Sequence, residues 1–198
     1  MIKVGLTGSI AMGKSTVAEM FRELGAPIYD ADAAIHKAYG PGGAAVEAVR
    51  ALAPEAASER GVDRGALKKR TMEEPGFLAR LEAAVHPIIG RDRFDFSTEA
   101  EASGAVYAVF DIPLLFETGG EKAVDVVVVV SAPADLQKQR AMARDGMTET
   151  MLETILARQT PDAEKRRGAD FVIDTGGTLA DTKRQVAEID AALRRRTG

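Results

Sequence analysis

The sequence predicts an α/β fold in which a parallel sheet is covered by helices on both faces. Five short apolar, β-branched runs recur along the chain, separated by longer stretches with helical periodicity. Three of these runs, centred near residues 4, 108 and 128, are almost wholly apolar, as expected for central strands buried on both faces. The five predicted strands are Ile2 to Thr7, Pro27 to Tyr29, Ala105 to Asp111, Val124 to Ser131 and Asp170 to Ile173.

Helical patterns fill the intervals between these strands. The first strand is followed by Ser15 to Leu24, whose apolar residues form one stripe. About 75 residues separate the second and third strands, several times an ordinary crossover, so we expect a helical insertion there. A second excursion, Ala134 to Gly168, separates the last two strands, and an amphipathic helix, Leu179 to Leu193, ends the pattern. The helices predicted in the insertion are Asp32 to Tyr39, Gly42 to Leu52, Asp63 to Glu73 and Pro75 to Glu101.

Composition excludes several classes of chemistry. The 198 residues carry a formal net charge of −4 and contain no cysteine and two histidines, which excludes disulfides, thiolate metal sites and a cysteine nucleophile. A mildly acidic chain argues against a nucleic-acid partner, and its longest apolar run is far shorter than the about 20 residues of a membrane span. The amino terminus reaches glycine before a signal peptide could form. We expect a cytoplasmic monomer or small homo-oligomer with neither a nucleic-acid nor a membrane partner.

A glycine-rich segment follows the first strand and matches Gly-x-x-x-x-Gly-Lys-Ser/Thr, the Walker A phosphate-binding loop. Its glycines allow close approach to a polyphosphate, while its N–H groups and the start of the next helix attract the anion. We expect Lys14 to bridge the β- and γ-phosphates and Ser15 to ligate Mg²⁺. Thr16 either contacts a phosphate or packs in the first helical turn. The predicted nucleotide-binding residues of this segment are Gly8, Ser9, Ile10, Ala11, Met12, Gly13, Lys14, Ser15 and Thr16.

Acidic residues follow two other strands. Asp30 and Asp32 end the second strand, and in an extended chain residues two apart share a face, so both carboxylates could enter one cleft. Asp32 could accept the proton of an attacking hydroxyl, but both could equally be turn and helix-cap residues. Asp111 ends the third strand and is placed to orient Mg²⁺. Ile112 and Pro113 follow it in place of the glutamate that polarises water in many ATPases, which favours transfer over hydrolysis.

Two arginines and a histidine are further candidates. Arg140 and Arg144 share one predicted helical face, where they could close over a polyphosphate, although isolated charges more often face solvent. A lone histidine such as His86 is more often structural than catalytic. The sequence has no asparagine, so it cannot contain the Asn-Lys-x-Asp element with which GTPases read guanine.

Taken in chain order, these segments resemble the dephospho-coenzyme A kinase family over residues 4 to 175. The His86-Pro87 pair and the segment from Asp111 to Glu117 are more specific than the phosphate loop. Family members usually have glycine at the positions of Ser9 and Ala11, and serine at Met12. The matching segments are Val4 to Thr16, Asp30 to Asp32, Leu81 to Pro87, Asp111 to Glu117, Arg140 to Asp145, Arg158 to Gln159 and Ala169 to Ile173.

The resemblance implies a P-loop NTPase fold with a five-stranded parallel sheet, a helical substrate-binding insertion and a lid. It implies transfer of the γ-phosphate of ATP, with Mg²⁺, to the ribose 3′-hydroxyl of dephospho-CoA. Asp32 would be the catalytic carboxylate, assisted by Lys14 and Arg140, with Arg144 also binding ATP. The implied acceptor-binding residues are Asp32, His86, Pro113 and Leu114. The expected domains are 1–31, 102–134 and 169–198 for the nucleotide-binding core, 32–101 for the insertion and 135–168 for the lid.

The residues alone leave two other functions open. One is another small-molecule P-loop kinase, acting on a nucleoside monophosphate or a related alcohol. The other is a regulatory ATPase that works through a protein partner, which predicts hydrolysis without an acceptor and no small-molecule pocket.

Overall fold

The computed structural model describes residues 1–196. Thr197 and Gly198, at the end of the predicted core range 169–198, lie outside the described residues. The strands are β1 (Ile2–Thr7), β2 (Ile28–Asp30), β3 (Ala57–Ser58), β4 (Gly61–Val62), β5 (Tyr107–Asp111), β6 (Val126–Ser131) and β7 (Phe171–Asp174). The α-helices are α1 (Lys14–Glu23), α2 (Ala31–Tyr39), α3 (Val46–Leu52), α4 (Arg64–Glu73), α5 (Phe77–Ala102), α6 (Ala134–Met142), α7 (Glu149–Leu156), α8 (Asp162–Arg167) and α9 (Leu179–Arg195).

The predicted five-stranded parallel sheet is confirmed, in the order β2-β5-β1-β6-β7. Strand β1 lies at the centre and pairs in parallel with β5 on one side and β6 on the other. Strand β7 extends the sheet beyond β6, again in parallel. Because the strands are parallel, the carboxyl ends of β1, β5 and β6 lie at one edge, and the loops that follow them meet there.

The core lies on both faces of this sheet. Alternate residues of a strand point to opposite faces, and the valines of β6 divide accordingly. Val128 packs with Val17 of α1 and Val186 of α9, whereas Val127 packs with Leu115 on the other side. The β-branched run in β6 is therefore buried on both faces, as its composition predicted.

Two central strands begin later than predicted. Strand β5 begins at Tyr107 rather than Ala105, because the N–H of Ala105 closes the turn after α5 by donating to the carbonyl of Ala100 at 3.1 Å.

 Strand β6 begins at Val126 rather than Val124, since the side chain of Asp125 accepts the N–H of Lys3 at 2.7 Å, in place of a strand partner.

The prediction that the segment between β2 and β5 is helical throughout is wrong. Strands β3 and β4 form a short antiparallel hairpin, with Ala57 opposite Val62. The turn that joins them uses Gly61, whose φ of +95° favours glycine. Helix α3 begins at Val46, four residues after the predicted start. In α5, Phe77 is buried, whereas its neighbour Leu78 is 48 % exposed.

The chain divides into two compact units. One consists of Met1–Tyr29 together with the chain from Ala100 onward, and it contains the core around β1 and β6. The other is Asp30–Glu99, and it has its own apolar cluster around Val49, Leu67 and Phe77.

Candidate active site

The glycine-rich loop connects β1 to α1, and its geometry requires glycine at two positions. A Cβ at Gly8 would lie 2.6 Å from the carbonyl oxygen of Val130 on β6, too close for any side chain. Gly13 has a φ of +90°, in the left-handed region that side chains disfavour, and it is the residue just before α1. These two glycines allow the loop to turn closely over the carboxyl edge of the sheet.

The start of α1 is open to an anion. Gly13, at the cap position, has no side chain that could satisfy the first N–H groups of the helix. The N–H of Val17 donates to the carbonyl of Gly13 at 3.2 Å, so the N–H groups of residues 14–16 precede the helical hydrogen bonds. The positive end of the helix dipole lies at the same place, which gives the geometry of a phosphate-binding site.

Lys14 and Asp111 form an ion pair at this edge. The Nζ of Lys14 donates a hydrogen bond to Oδ1 of Asp111, the last residue of β5. Asp111 is 5 % exposed and lies opposite Leu6 of β1, so the lysine that follows β1 reaches the end of the neighbouring strand. Ser15, next in the chain, is exposed. The structure thus brings together the predicted phosphate-binding lysine and the predicted metal-orienting carboxylate.

The three unusual loop residues have little room for side-chain contacts with a ligand. Ser9 is 5 % exposed and Met12 is 2 % exposed. The Sδ of Met12 accepts the N–H of Ala132 at 3.1 Å, and its side chain packs in the core of the sheet. Met12 can therefore meet a nucleotide only through its backbone. Ala11 has a φ of +62° and is the one non-glycine residue with positive φ in the described part of the chain.

Both backbone groups of Ile10 are held by side chains from outside the loop. Its N–H donates to Oε1 of Gln159 at 3.1 Å, and its carbonyl accepts from Nε2 of Gln137 at 2.9 Å. Gln137 lies on α6 and Gln159 follows α7. The segment from α6 to the residues after α7 therefore contacts the loop at two points, one near each end of the segment.

Arg140 contacts Thr175 rather than solvent. Its guanidinium donates to the hydroxyl of Thr175 at 3.0 Å and to the carbonyl of the same residue at 2.8 Å. Thr175 is 6 % exposed, and its hydroxyl donates to the carbonyl of Met12 at 2.8 Å. A chain of hydrogen bonds thus runs from α6 to the phosphate loop. Arg144 lies two residues beyond the end of α6 and is exposed, so the prediction that the two arginines share one helical face is wrong, although both line the pocket beside the loop.

A pocket of about 280 Å³ opens beside the loop. Its volume is close to the lower end of the range for small-molecule sites, about 300 Å³. Two arginines give it a positive lining, and the start of α1 adds the helix dipole. It is lined by Ala11, Gly13, Thr16, Arg140, Arg144, Thr175, Gly177, Leu179 and Thr182.

The two carboxylates after β2 do not share an extended segment, contrary to the sequence-based expectation. Asp30 is the cap residue of α2, and its Oδ1 accepts the N–H of Ala33 at 2.9 Å. Asp32 lies in the first turn of that helix and is exposed. Because a capping side chain starts the helix at once, the extended geometry ends at Asp30. Asp30 therefore has the capping role that the sequence left open.

The residues expected to bind the acceptor lie in separate parts of the chain. His86 is exposed on α5, just before Pro87, which has no N–H to donate within the helix. Pro113 follows β5, and its carbonyl accepts the hydroxyl of Thr7 at 3.1 Å. Leu114 is 44 % exposed.

Three residues of the site were not predicted as functional from the sequence: Gln137, Gln159 and Thr175. Gln137 is one helical turn before Arg140 and so lies on the same face of α6, a signal that the spacing alone could have given. Gln159 and Thr175 have no local pattern of that kind, because their partners Ile10 and Met12 are far away in sequence.

A buried ion pair joins the segment after β5 to α8. The Nζ of Lys165, which is fully buried, lies 2.9 Å from Oε1 of Glu117, and that oxygen also accepts the N–H of Thr160 at 2.8 Å. Burial opposes ionisation of Glu117, but the ion pair with Lys165 and hydrogen bonds from backbone N–H groups outweigh it, so the pKa of its carboxyl lies below the ordinary value.

Comparisons with known proteins give one consistent result. Residues 2–181 match the family model described as dephospho-CoA kinase. The chain is 52 % identical over 193 residues to the dephospho-CoA kinase of Brucella melitensis biotype 1, a match that covers 98 % of this chain and 96 % of that relative.

Two solved structures resemble the fold along its whole length. A Thermus thermophilus protein has a TM-score of 0.81 at 35 % identity and covers 100 % of this chain and 98 % of its own. The dephospho-CoA kinase from Campylobacter jejuni has a TM-score of 0.73 at 24 % identity, covering 99 % of this chain and 98 % of its own, and this second likeness is one of fold.

Proposed function

The chain belongs to the dephospho-CoA kinase family, and from that premise we propose which of its residues transfer the γ-phosphate of ATP to the ribose 3′-hydroxyl of dephospho-CoA. The products are CoA and ADP. The observation that carries the assignment is the pairing of Lys14 with Asp111 beside the open start of α1. Phosphoryl transfer asks a protein for positioning and charge stabilisation rather than covalent chemistry, so the roles follow from the charges each residue brings.

The phosphate loop binds the triphosphate in this proposal. The N–H groups of Ala11, Gly13 and residues 14–16 supply donors, and Lys14 supplies a charge for the β- and γ-phosphates. Gly8 contributes by allowing the close turn, whereas Ser9, Ile10 and Met12 act through their backbone and through the supports described above. Thr16 lines the pocket and contacts the nucleotide from there.

Ser15 and Asp111 fit a magnesium site. Mg²⁺ prefers oxygen ligands and is usually held by one or two carboxylates together with substrate phosphates. Asp111 is a buried carboxylate already paired with a cation, and the hydroxyl of Ser15 belongs to an exposed residue at the start of α1. No group of three or more acidic or histidine side chains that could hold a metal occurs among the described residues. Bound Mg²⁺ neutralises charge on the phosphate oxygens.

Asp32 orients the attacking hydroxyl and accepts its proton. The support is its exposed position two residues after a parallel strand, since ligands of open α/β sheets bind beyond the carboxyl ends of the strands. Asp30 cannot have the same role because its carboxylate caps α2. The catalytic carboxylate is therefore the one in the first turn of the helix.

The helical residues 32–101 bind the acceptor, with His86 as a contact, and Pro113 and Leu114, in the segment after β5, are further proposed acceptor contacts. Residues 135–168 form the lid over the nucleotide-binding core, which is made of residues 1–31, 102–134 and 169–198. Arg140 and Arg144 belong to the lid and stabilise negative charge on the transferring phosphoryl group. Their support is that both line the pocket beside the phosphate loop.

No helix of the described residues is both long and apolar enough to cross a membrane. We place the enzyme in the cytoplasm because its nucleotide substrate is available there, as a monomer or small homo-oligomer that meets its substrates by diffusion.

A coupled assay of ADP release tests the reaction across a panel of acceptors. Dephospho-CoA, a nucleoside monophosphate and a reaction without acceptor are compared at equal ATP and Mg²⁺. We expect rapid turnover with dephospho-CoA alone and a product that carries its new phosphate at the 3′ position by ³¹P NMR. Equal turnover with the monophosphate would indicate a kinase of different specificity, and turnover without acceptor would indicate an ATPase.

The Asp32→Asn variant tests the proposed base, with Asp30→Asn as its matched control. Each substitution removes one carboxylate charge, and asparagine caps helices as well as aspartate does, so α2 persists in both. We expect Asp32→Asn to lose at least about 100-fold in kcat while binding ATP normally, and Asp30→Asn to lose little. Similar losses in the two variants would remove Asp32 from its assigned role.

A further inference from the structure

The two glutamines that hold Ile10 are joined to the loop by hydrogen bonds whose direction is unambiguous. A backbone N–H can only donate and a carbonyl can only accept, so Gln159 must present its oxygen and Gln137 its nitrogen. Gln137 is 7 % exposed, so this contact is sheltered from water. The same face of α6 carries Ala141, which is fully buried and packs against Ala11 and Leu152. Polar and apolar contacts therefore hold the loop together at Ile10 and Ala11.

The contact of Gln137 has a consequence for the next peptide group. The peptide that joins Ile10 to Ala11 is planar and trans, so its N–H points opposite to its carbonyl. Because the Ile10 carbonyl is drawn toward Nε2 of Gln137, the N–H of Ala11 is directed away from α6. Among the described residues this N–H has no hydrogen-bond acceptor, and Ala11 lines the pocket. A rotation of the peptide would instead present a carbonyl oxygen to a bound polyphosphate.

We propose that Gln137 and Gln159 are positioning residues that hold the peptide groups on either side of Ile10, so that the N–H of Ala11 faces the nucleotide's phosphates. This inference rests on the proposed function of the loop as a phosphate-binding site. Gln137 prevents rotation of the Ile10–Ala11 peptide, and Gln159 fixes the Ser9–Ile10 peptide before it. Together they fix both backbone dihedral angles of Ile10.

Glutamate substitutions separate the two roles, since glutamate has the shape of glutamine but only accepts hydrogen bonds. Gln159→Glu keeps the acceptor that the Ile10 N–H needs. Gln137→Glu replaces a donor with an acceptor that faces the Ile10 carbonyl, which favours the rotated peptide. Both add one negative charge near the loop, so their difference isolates the hydrogen bond. Gln139→Glu, at an exposed position of the same helix, controls for charge alone.

The measurement compares binding of ADP and of adenosine to each variant by calorimetry. We expect Gln137→Glu to weaken ADP binding at least tenfold relative to Gln159→Glu, while adenosine, which has no phosphate, binds equally to both. Gln137→Met, neutral and without a donor, should weaken ADP binding three- to tenfold, and this variant serves if Gln137→Glu does not fold. Equal ADP affinities of the two glutamate variants, or a parallel loss of adenosine binding, would overturn the inference. If wild-type protein binds ADP no better than adenosine, the phosphate-binding function itself fails.

Discussion

The ammonium group of Lys14 pairs with the carboxylate of Asp111 across the boundary between two neighbouring parallel strands. The lysine follows β1 by way of the glycine-rich loop, and the aspartate is the last residue of β5. The side chains are 17 % and 7 % exposed. The cation and the anion to which we assign roles in phosphoryl transfer are thus held at the same edge of the sheet, and such preorganisation reduces the reorganisation required on nucleotide binding.

Lys14→Met should separate the catalytic and structural roles of this pair. Turnover should fall by about 100-fold or more, because the variant lacks the ammonium group proposed to stabilise negative charge on the transferring phosphoryl group. The free energy of unfolding should fall by about 2 kcal/mol, because Asp111 keeps its charge in a largely buried place without the lysine. Steady-state kinetics and urea denaturation measure the two effects.

The double variant Lys14→Met/Asp111→Asn is the control for that prediction. Removing the second charge should restore most of the lost stability and none of the activity. If stability is not restored, the pair does not explain the destabilisation of the single variant.

The parallel sheet could be predicted from the sequence because each strand is indicated by residues that are neighbours in the chain. The valine run of β6 is buried on both faces, and the loop motif follows β1, as the composition and spacing predict. The observed ends of strands differ from the predicted ends where a side chain, rather than a backbone group of a neighbouring strand, makes the hydrogen bond. Asp125 accepts the N–H of Lys3 and so delays β6, and Asp30 caps α2 and so ends the extended segment. Neither contact follows from periodicity.

The supports of the phosphate loop could not be predicted in the same way. Thr175 contacts Met12, and Gln159 contacts Ile10, across 163 and 149 residues of sequence. Such contacts depend on the strand order, which brings the ends of β1, β6 and β7 together. The sequence identified the residues that carry charge, whereas the structure identified the neutral residues that hold the loop.

Ala11 offers a test of backbone strain in the loop. Its φ of +62° costs an L-residue about 1 kcal/mol, but its methyl group packs with Ala141 and Leu152. Ala11→Gly relieves the strain and loses both this packing and some rigidity of the unfolded chain, so stability should change by less than about 0.5 kcal/mol. Ala11→Val adds a β-branched side chain at positive φ and should destabilise by about 2 kcal/mol. Thermal unfolding of both variants checks the order, and equal stability of the valine and glycine variants would contradict it.

Thr175 should act on the loop through its hydroxyl group. Thr175→Val keeps the shape of the side chain but removes the acceptor for Arg140 and the donor to Met12, both at a buried position. We expect a loss of about 1 to 2 kcal/mol in stability and a raised KM for ATP, because an unmade buried hydrogen bond costs about that much. Thr175→Ser keeps the hydroxyl and is the matched control. If the serine and valine variants have the same KM, the hydroxyl does not support the loop.

The ion pair of Glu117 and Lys165 should make stability depend on pH in the acid range. The pKa of Glu117 is lowered in the folded protein from an ordinary value of 4.5, so the folded state favours the charged carboxyl. The contribution of this carboxyl to the free energy of unfolding is therefore fully present above about pH 4.5, the pKa of the unfolded chain, and is lost as the pH falls through the lower folded value.

The Glu117→Gln variant should lose about 3 kcal/mol of stability at pH 7, because the fully buried Lys165 then has no counter-charge at 2.9 Å. Its difference in stability from wild type should shrink below pH 4.5. Denaturation of both proteins between pH 3 and 7 measures this, with Glu117→Gln/Lys165→Met as the control expected to recover stability at neutral pH. A constant difference between wild type and Glu117→Gln across the whole range would mean that the charge of Glu117 is not what stabilises the junction with α8.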